Sequence, residues 1–276
     1  MINKINTNNP FNKHFKYIYV IYMPNREKYI KHFFNNLNIK VKYIPAVNRD
    51  YMPSLSNLLH NKIINKFFLF KRLNYEGFPK VSIEEFEKSN DPKIIAKLRG
   101  IKGAIGLQLT YLKIFEEFTK LPPNIATKCI IFEDDLILPK YLHKNILFSR
   151  FDHIFTHELN NVNWDIINFG RCNDLCKLNN PFSKNLVNDT NPWCTHAVAY
   201  SRKIAEETLL NSIPLSHTGD WLMAWFYYAN PVYKCFSVKN RFFDQNPNLG
   251  TMLDHPDQWP ECKDIKGSKP LKIKKI

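Results

Sequence analysis

The sequence predicts an α/β protein: a Rossmann-like, twisted mixed sheet flanked by helices. Three observations carry that expectation. Short runs of β-branched and aromatic residues recur along the chain, as in Lys16–Met23 and Val41–Val47. Segments of helical periodicity lie between them, which gives the β-α-β order of a layered sheet. The run Cys129-Ile130-Ile131-Phe132 then ends abruptly in Glu133-Asp134-Asp135, followed by a second apolar run that stops at Pro139. An apolar run that short reads as a buried strand.

Three acids at the tip of a buried strand repel one another and cost desolvation unless a cation or ligand donors neutralise them. Ligands of open α/β sheets bind outside the carboxyl ends of strands, where these acids would lie. Hard oxygen ligands suit Mg²⁺ or Mn²⁺ bridging to a diphosphate. Glu133, Asp134 and Asp135 therefore read as a metal and nucleotide-diphosphate site, with a solvated acidic turn as the plain alternative.

At 276 residues, with 44% hydrophobic and 14% aromatic content, the chain can bury a core and is not wholesale disordered. It divides into a polar lead over 1–15, a domain over 16–253 and a basic tail over 254–276. The net charge of +14 is dispersed, apart from a lysine cluster between Lys266 and Lys275. It reflects an AT-rich coding bias, as in a large DNA virus or an AT-rich microbe, with some attraction for anionic substrates. No nucleic-acid motif is present. There is no apolar run of transmembrane length and no signal-peptide core at the start. A soluble chain in the cytoplasm, or the host-cell cytoplasm if viral, is the expectation. The six cysteines fit reduced thiols there. Cys172 and Cys176 lack a second matched pair for zinc and read as semi-buried thiols.

In chain order, the first strand is Lys16–Met23. Pro24-Asn25-Arg26 turns into a helix reaching Leu37, with Arg26 either meeting a phosphate or base or serving as a surface charge. Val41–Val47 is the second strand, and the absence of a Gly-rich loop argues against a dinucleotide fold. Leu55–Phe70 is expected to be helical and Val81–Lys97 a charged surface element. Gly103–Phe118 reads as a helix with a wide apolar face and a polar stripe of Thr110, Lys113, Glu117 and Lys120. Glycines weaken a helix by up to about 1 kcal/mol each, so Gly103 and Gly106 imply close approach of a ligand or a neighbouring strand. Further strands are expected over Asn163–Gly170, Thr195–Tyr200 and Val232–Val238. Ser201 would cap a helix to Leu210, and Gly219-Asp220-Trp221-Leu222 would open an aromatic helix.

Several of these segments resemble one family together: glycosyltransferase family 25, the lipopolysaccharide glycosyltransferases and procollagen galactosyltransferases. Gly103-Ala104-Ile105-Gly106-Leu107-Gln108-Leu109-Thr110-Tyr111 is similar to that family's Gly-Glu-Ile-Gly-Cys-x-Leu-Ser-His helix. Glu133-Asp134-Asp135 is similar to its acidic motif, and Pro24-Asn25-Arg26 to its first turn. Trp164–Gly170, Thr195–Ser201, Gly219–Leu222 and Gln245–Met252 resemble later blocks in the right order. The resemblance spans about residues 17–253. Ala104 and Tyr111 depart from the family's glutamate and histidine, which admits an inactive relative.

The resemblance implies a GT-A fold and inverting transfer of a hexose, galactose or glucose, from a UDP-sugar to a hydroxyl of a glycan or a hydroxylysine-type acceptor. Mn²⁺ is the implied ion, with Mg²⁺ as the substitute. Glu133 and Asp135 would face the diphosphate, Asp135 as the direct ligand, while Asp134 points away or binds the ribose. Asn25, Arg26, Gly103 and Gly106 would contact the nucleotide sugar. Asp220 would take the acceptor's proton or, equally, be an ordinary helix-start acid. His217 and His255 are further metal-ligand candidates, and His196 is a core residue. A catalytically inactive binding protein and a metal-dependent phosphodiester hydrolase are the competing readings.

Overall fold

The computed structural model of the chain describes residues 9–69, 82–172, 174, 176, 179–189 and 192–249. It is a mixed α/β protein with one large sheet between helical layers. The expected polar lead is partly structural. Asn9 caps a short helix, α1 (Pro10–His14), by accepting from the Phe11 amide. Phe11 and Phe15 on either side of that turn are buried, and Phe11 stacks on Phe151 at 3.6 Å.

Strand β1 (Tyr17–Tyr22) buries its four central residues, as a strand covered on both faces must. A 3-10 turn at Pro24–Arg26 feeds α2 (Glu27–Leu37), which ends at Asn38 with φ 55°. Asparagine tolerates that left-handed cap. Strand β2 (Lys42–Pro45) then pairs parallel with β1. Helices α3 (Leu55–His60) and α4 (Ile83–Lys88) follow.

The central helix α5 runs from Pro92 to Thr119 over 28 residues, well upstream of the expected start at Gly103. The start signal is Asp91, whose side chain accepts from Lys93 N at 2.8 Å, with proline at the first helical position. Lys93, Lys97, Arg99, Gly100 and Lys102 obscure that stretch in the sequence. Thr110, expected on the polar stripe, is fully buried. Its hydroxyl accepts from Val47 N at 2.9 Å and donates to Gly106 O at 2.7 Å, clamping α5 to the exit of β2.

Strand β3 (Lys128–Phe132) carries the acids at its end and is followed by β4 (Leu136–Ile137) and α6 (Lys144–His153). Next come β5 (Ile166–Asn168), β6 (Asn180–Pro181), β7 (Leu186–Asn188) and β8 (Ala197–Ser201). Ser201 caps α7 (Arg202–Asn211). A short helix α8 (Gly219–Leu222) runs into a π-helical turn at Met223–Tyr228, then β9 (Cys235–Val238) and β10 (Asp244–Gln245). The sheet order is β2-β1-β3-β8-β5-β9-β7-β6, and β10 pairs with β4 in a separate ribbon.

One core joins the sheet to α1, α2 and α6 through Phe11, Phe34, Phe132, Phe151 and Phe169. The other face packs α5 and α7 through Ile114, Phe118, Ile131 and Ile204. A third cluster, with Leu55, Phe68, Ile101 and Ile105, supports the side of α5. No helix among the described residues is long and apolar enough to cross a membrane.

The cysteines correct the sequence reading. Cys172 is bonded to Cys194 across 22 residues, with Cα atoms 5.7 Å apart, and Cys176 is disulfide-bonded as well. Spacing between near neighbours excluded zinc but was blind to Cys194, which reaches Cys172 only because the exit of β5 and the entry of β8 meet in the sheet. Cys129 and Cys235 are buried free thiols.

Candidate functional site

Strand directions gather one rim. β1 runs parallel to β2 and β3, so the three share a carboxyl end. β8 is antiparallel to both β3 and β5, so its entry, Thr195-His196, and the exit of β5 come to the same side. The acids of β3 stand on this rim, outside strand carboxyl ends as ligand sites of such sheets do.

The three acids have different fates. Asp134 turns to the exit of β1: Arg26 Nη1 donates to its Oδ1 at 2.8 Å and Met23 N to its Oδ2 at 2.5 Å. Arg26 is itself buried, and its Nη2 donates to Leu249 O at 3.2 Å. Arg26 and Asp134 thus form a buried pair that ties the first turn to the acidic tip. The surface-charge reading of Arg26 is overturned, since its fork is spent inside the protein. Burial raises the Asp134 carboxyl above its ordinary range, against the pull of Met23 N and Arg26.

Glu133 accepts from Thr195 Oγ1 at 2.7 Å and from the Tyr111 hydroxyl at 3.2 Å. The Tyr111 hydroxyl lies 2.8 Å from Thr195 O, which fixes the phenol between the two. Desolvation, then the charge of Asp135, pushes Glu133 up to about 8. Asp135 accepts from Gln245 Nε2 at 3.2 Å, and its backbone oxygen accepts from Asn246 N at 2.5 Å. Its Oδ1 is buried with no hydrogen-bond partner, and burial raises the group. An orphaned carboxylate oxygen beside a second strained acid is a place for a cation. Among the described residues no three His, Cys, Asp or Glu side chains gather as a metal cage. An ion here takes two protein carboxylates at most, the usual situation where Mg²⁺ or Mn²⁺ is completed by phosphates and water.

The other sequence-derived candidates disperse. Asn25 is exposed on the 3-10 turn. Gly106 serves packing rather than a ligand: a Cβ there would collide with the carbonyl oxygen of Val47. Gly103 lies in the interior of α5, not at its start. Asp220 stands in the first turn of its helix, accepting from Thr218 Oγ1 at 2.6 Å and Trp221 N at 3.0 Å. His217 stacks on Trp221 with 5.5 Å between ring centroids, and its Nδ1 lies 2.8 Å from Ser216 Oγ. His255 lies outside the described residues. His196 is buried in the core beneath Gly170, its Nε2 3.2 Å from Phe243 O, and burial lowers it to about 4.

Sequence reasoning missed the residues that hold the acids in place. Thr195 stands just before β8, and Gln245 and Asn246 at the end of β10; their segments are legible in the sequence, but nothing local links them to the acids. Tyr111 reads in the sequence as a departure from the family's histidine, yet it reaches Glu133. Gln108 was also passed over: it is buried with both amide atoms unpartnered, one helical turn before Tyr111 on the same side of α5. No protein-family model matches this chain, and no curated protein matches it.

Proposed function

We propose that the chain is a GT-A-type glycosyltransferase that moves a hexose from a UDP-sugar to an acceptor hydroxyl with inversion. The observation that carries this reading is the pair Glu133 and Asp135 at the carboxyl end of β3. One has an orphaned buried oxygen and the other is driven up to about 8. Such a pair is costly alone and is relieved by a divalent cation with a diphosphate. The ordered resemblance to glycosyltransferase family 25 supplies the reaction.

Asp135 and Glu133 would hold Mn²⁺, or Mg²⁺ in its place. The ion would supply charge neutralisation on the departing diphosphate. Thr195 and Tyr111 orient Glu133, and Gln245 orients Asp135, so both carboxylates are aimed before ligand arrives. Arg26, held on Asp134, adds fixed positive charge behind the acids. Asp220 is the proposed base for the acceptor proton; its bond from Thr218 sets its direction. The disulfide between Cys172 and Cys194 fits work in an oxidising compartment.

One observation favours a second reading. The Asp220 carboxylate is already engaged by Thr218 Oγ1 and Trp221 N within its own turn, as in a binding protein that holds the nucleotide sugar without turnover. Thermal shift with UDP-galactose and UDP-glucose, with and without Mn²⁺, tests the shared site, since a native-state ligand raises stability. Donor hydrolysis under the same conditions separates the two readings. A chain stabilised by none of these combinations is not a nucleotide-sugar protein, and cleavage of a simple phosphodiester in that buffer would favour a hydrolase instead.

A further inference from the structure

Between Arg202-Lys203 and Lys234 the sequence has no lysine or arginine, although the chain holds 39 of them. That stretch without basic residues carries an aromatic ladder along α8 and the π-helical turn. The Trp221 ring lies between His217, at 5.5 Å and 22°, and Trp225, at 5.3 Å and 19°. The near-parallel ring contacts line the three up in one stack, from just before α8 into the π-helical turn. Trp193 meets Trp221 edge-on at 6.2 Å, and Phe226 meets His217 at 6.2 Å.

One end of the ladder is close along the chain to the acidic rim. Trp193 precedes Thr195 by two residues, and the Thr195 hydroxyl is 2.7 Å from Glu133. The other end is open: Trp225 is 41% and Phe226 57% exposed. Large rings left in water next to a candidate site mark a binding surface.

Charge decides the class of ligand. From residue 208 to 233 the one formally charged side chain is Asp220. An anionic bilayer or a nucleic acid would call for lysine and arginine. A neutral saccharide fits. The C–H bonds on one face of a pyranose are weakly positive and meet the negative face of an aromatic ring. Its hydroxyls, at the ring edge, remain available to polar groups such as those of Ser216, Thr218 and Asp220.

We propose that Trp193, Trp221, Trp225 and Phe226, with His217, form a saccharide-binding platform that seats the acceptor glycan and leads it to the acidic rim. Its role as acceptor site rests on the transferase reading; saccharide binding by the platform does not.

The test uses the full chain and a panel of neutral glucose- and galactose-based oligosaccharides, read by tryptophan fluorescence and by saturation-transfer NMR. Wild type is expected to bind at least one member, with transfer to sugar C–H protons. Trp225→Ala and Phe226→Ala, both at exposed positions that spare the core, are expected to weaken it at least tenfold. UDP and Mn²⁺ affinity should stay unchanged in these variants. No binding by wild type, or equal binding by Trp225→Ala, overturns the platform while leaving intact nucleotide binding to support the transferase reading. Saccharide binding without any nucleotide binding sinks that reading and the acceptor role, and leaves a saccharide site. Binding to neutral or anionic vesicles lost in Trp225→Ala, with no saccharide bound, overturns the proposal in favour of a membrane surface.

Discussion

The two ends of the sheet treat polar groups in opposite ways. At the amino ends of β1 and β2 a cavity of about 610 Å³ is lined by Asn12, Lys16, Tyr19, Lys40, Lys42 and Glu117. Its polar groups are matched: Lys42 Nζ sits 2.5 Å from Glu117, and Asn12 exchanges hydrogen bonds with the Lys40 backbone at 2.9 and 2.8 Å. At the carboxyl end stand three adjacent acids, one paired with an arginine, one held by two neutral hydroxyls and one with an unpartnered oxygen. Concavity alone would direct attention to the first region, and unmet electrostatic demand directs it to the second. A site that waits for a charged ligand is the one that is incomplete without it.

Four experiments break or sharpen that contrast. The largest effect is expected at Arg26. Arg26→Ala leaves Asp134 charged, buried and unpaired, and should cost about 3–5 kcal/mol of folding stability in denaturant titration. A loss under 1 kcal/mol would mean that the pair is not part of the frame.

Asp135→Asn comes next. It keeps the shape and removes the charge, so Mn²⁺-dependent UDP-sugar affinity should fall about 100-fold, or about 2.7 kcal/mol. Stability without metal should hold or rise, because a buried charge is gone. Unchanged metal dependence in calorimetric titration would remove Asp135 from the site.

The third test is pH. Glu133 is raised to about 8 from an ordinary 4.5, so the folded chain keeps a proton that the unfolded chain releases. The stabilisation is whole below about 4.5 and is lost as pH climbs toward 8. His196, lowered to about 4 from an ordinary 6.5, acts in the opposite sense, costing stability as pH falls below about 6.5. Between about pH 6.5 and 8 the acid therefore dominates, and stability of the metal-free chain should fall by up to about 1.4 kcal/mol per pH unit. Glu133→Gln should flatten that slope; a slope that persists assigns it elsewhere.

The smallest effect belongs to the other end of the sheet. Lys42 and Glu117 are both well exposed, so Lys42→Ala should cost less than about 1 kcal/mol and leave nucleotide-sugar affinity unchanged. A marked loss of affinity would mean that the cavity takes part in binding.

How legible the fold was depended on how local its signals are. β1, β3 and β8 could be read because each is a contiguous apolar run, and α7 because Ser201 caps it. The start of α5 was marked by Asp91-Pro92, but the glycines drew the boundary to Gly103. β6, β7 and β10 are two or three residues long and exist only through their partners, so a window along the chain does not see them. Within the site, the acids announced themselves, while Thr195, Gln245 and the bond between Cys172 and Cys194 did not.

The sequence by itself determined that a buried strand ends in three carboxylates, and that these must be neutralised. That follows from composition, since apolar residues drive the strand inward and carry its charged tip with them. Only the tertiary structure decided which acid is neutralised from within. Arg26 reaches Asp134 because β1 and β3 lie side by side in parallel, whereas Glu133 and Asp135 meet hydroxyls and an amide from β8, α5 and β10 that carry no charge. Pairing of distant strands sets those neighbours, and strand pairing is a property of the whole sheet, not of any one segment.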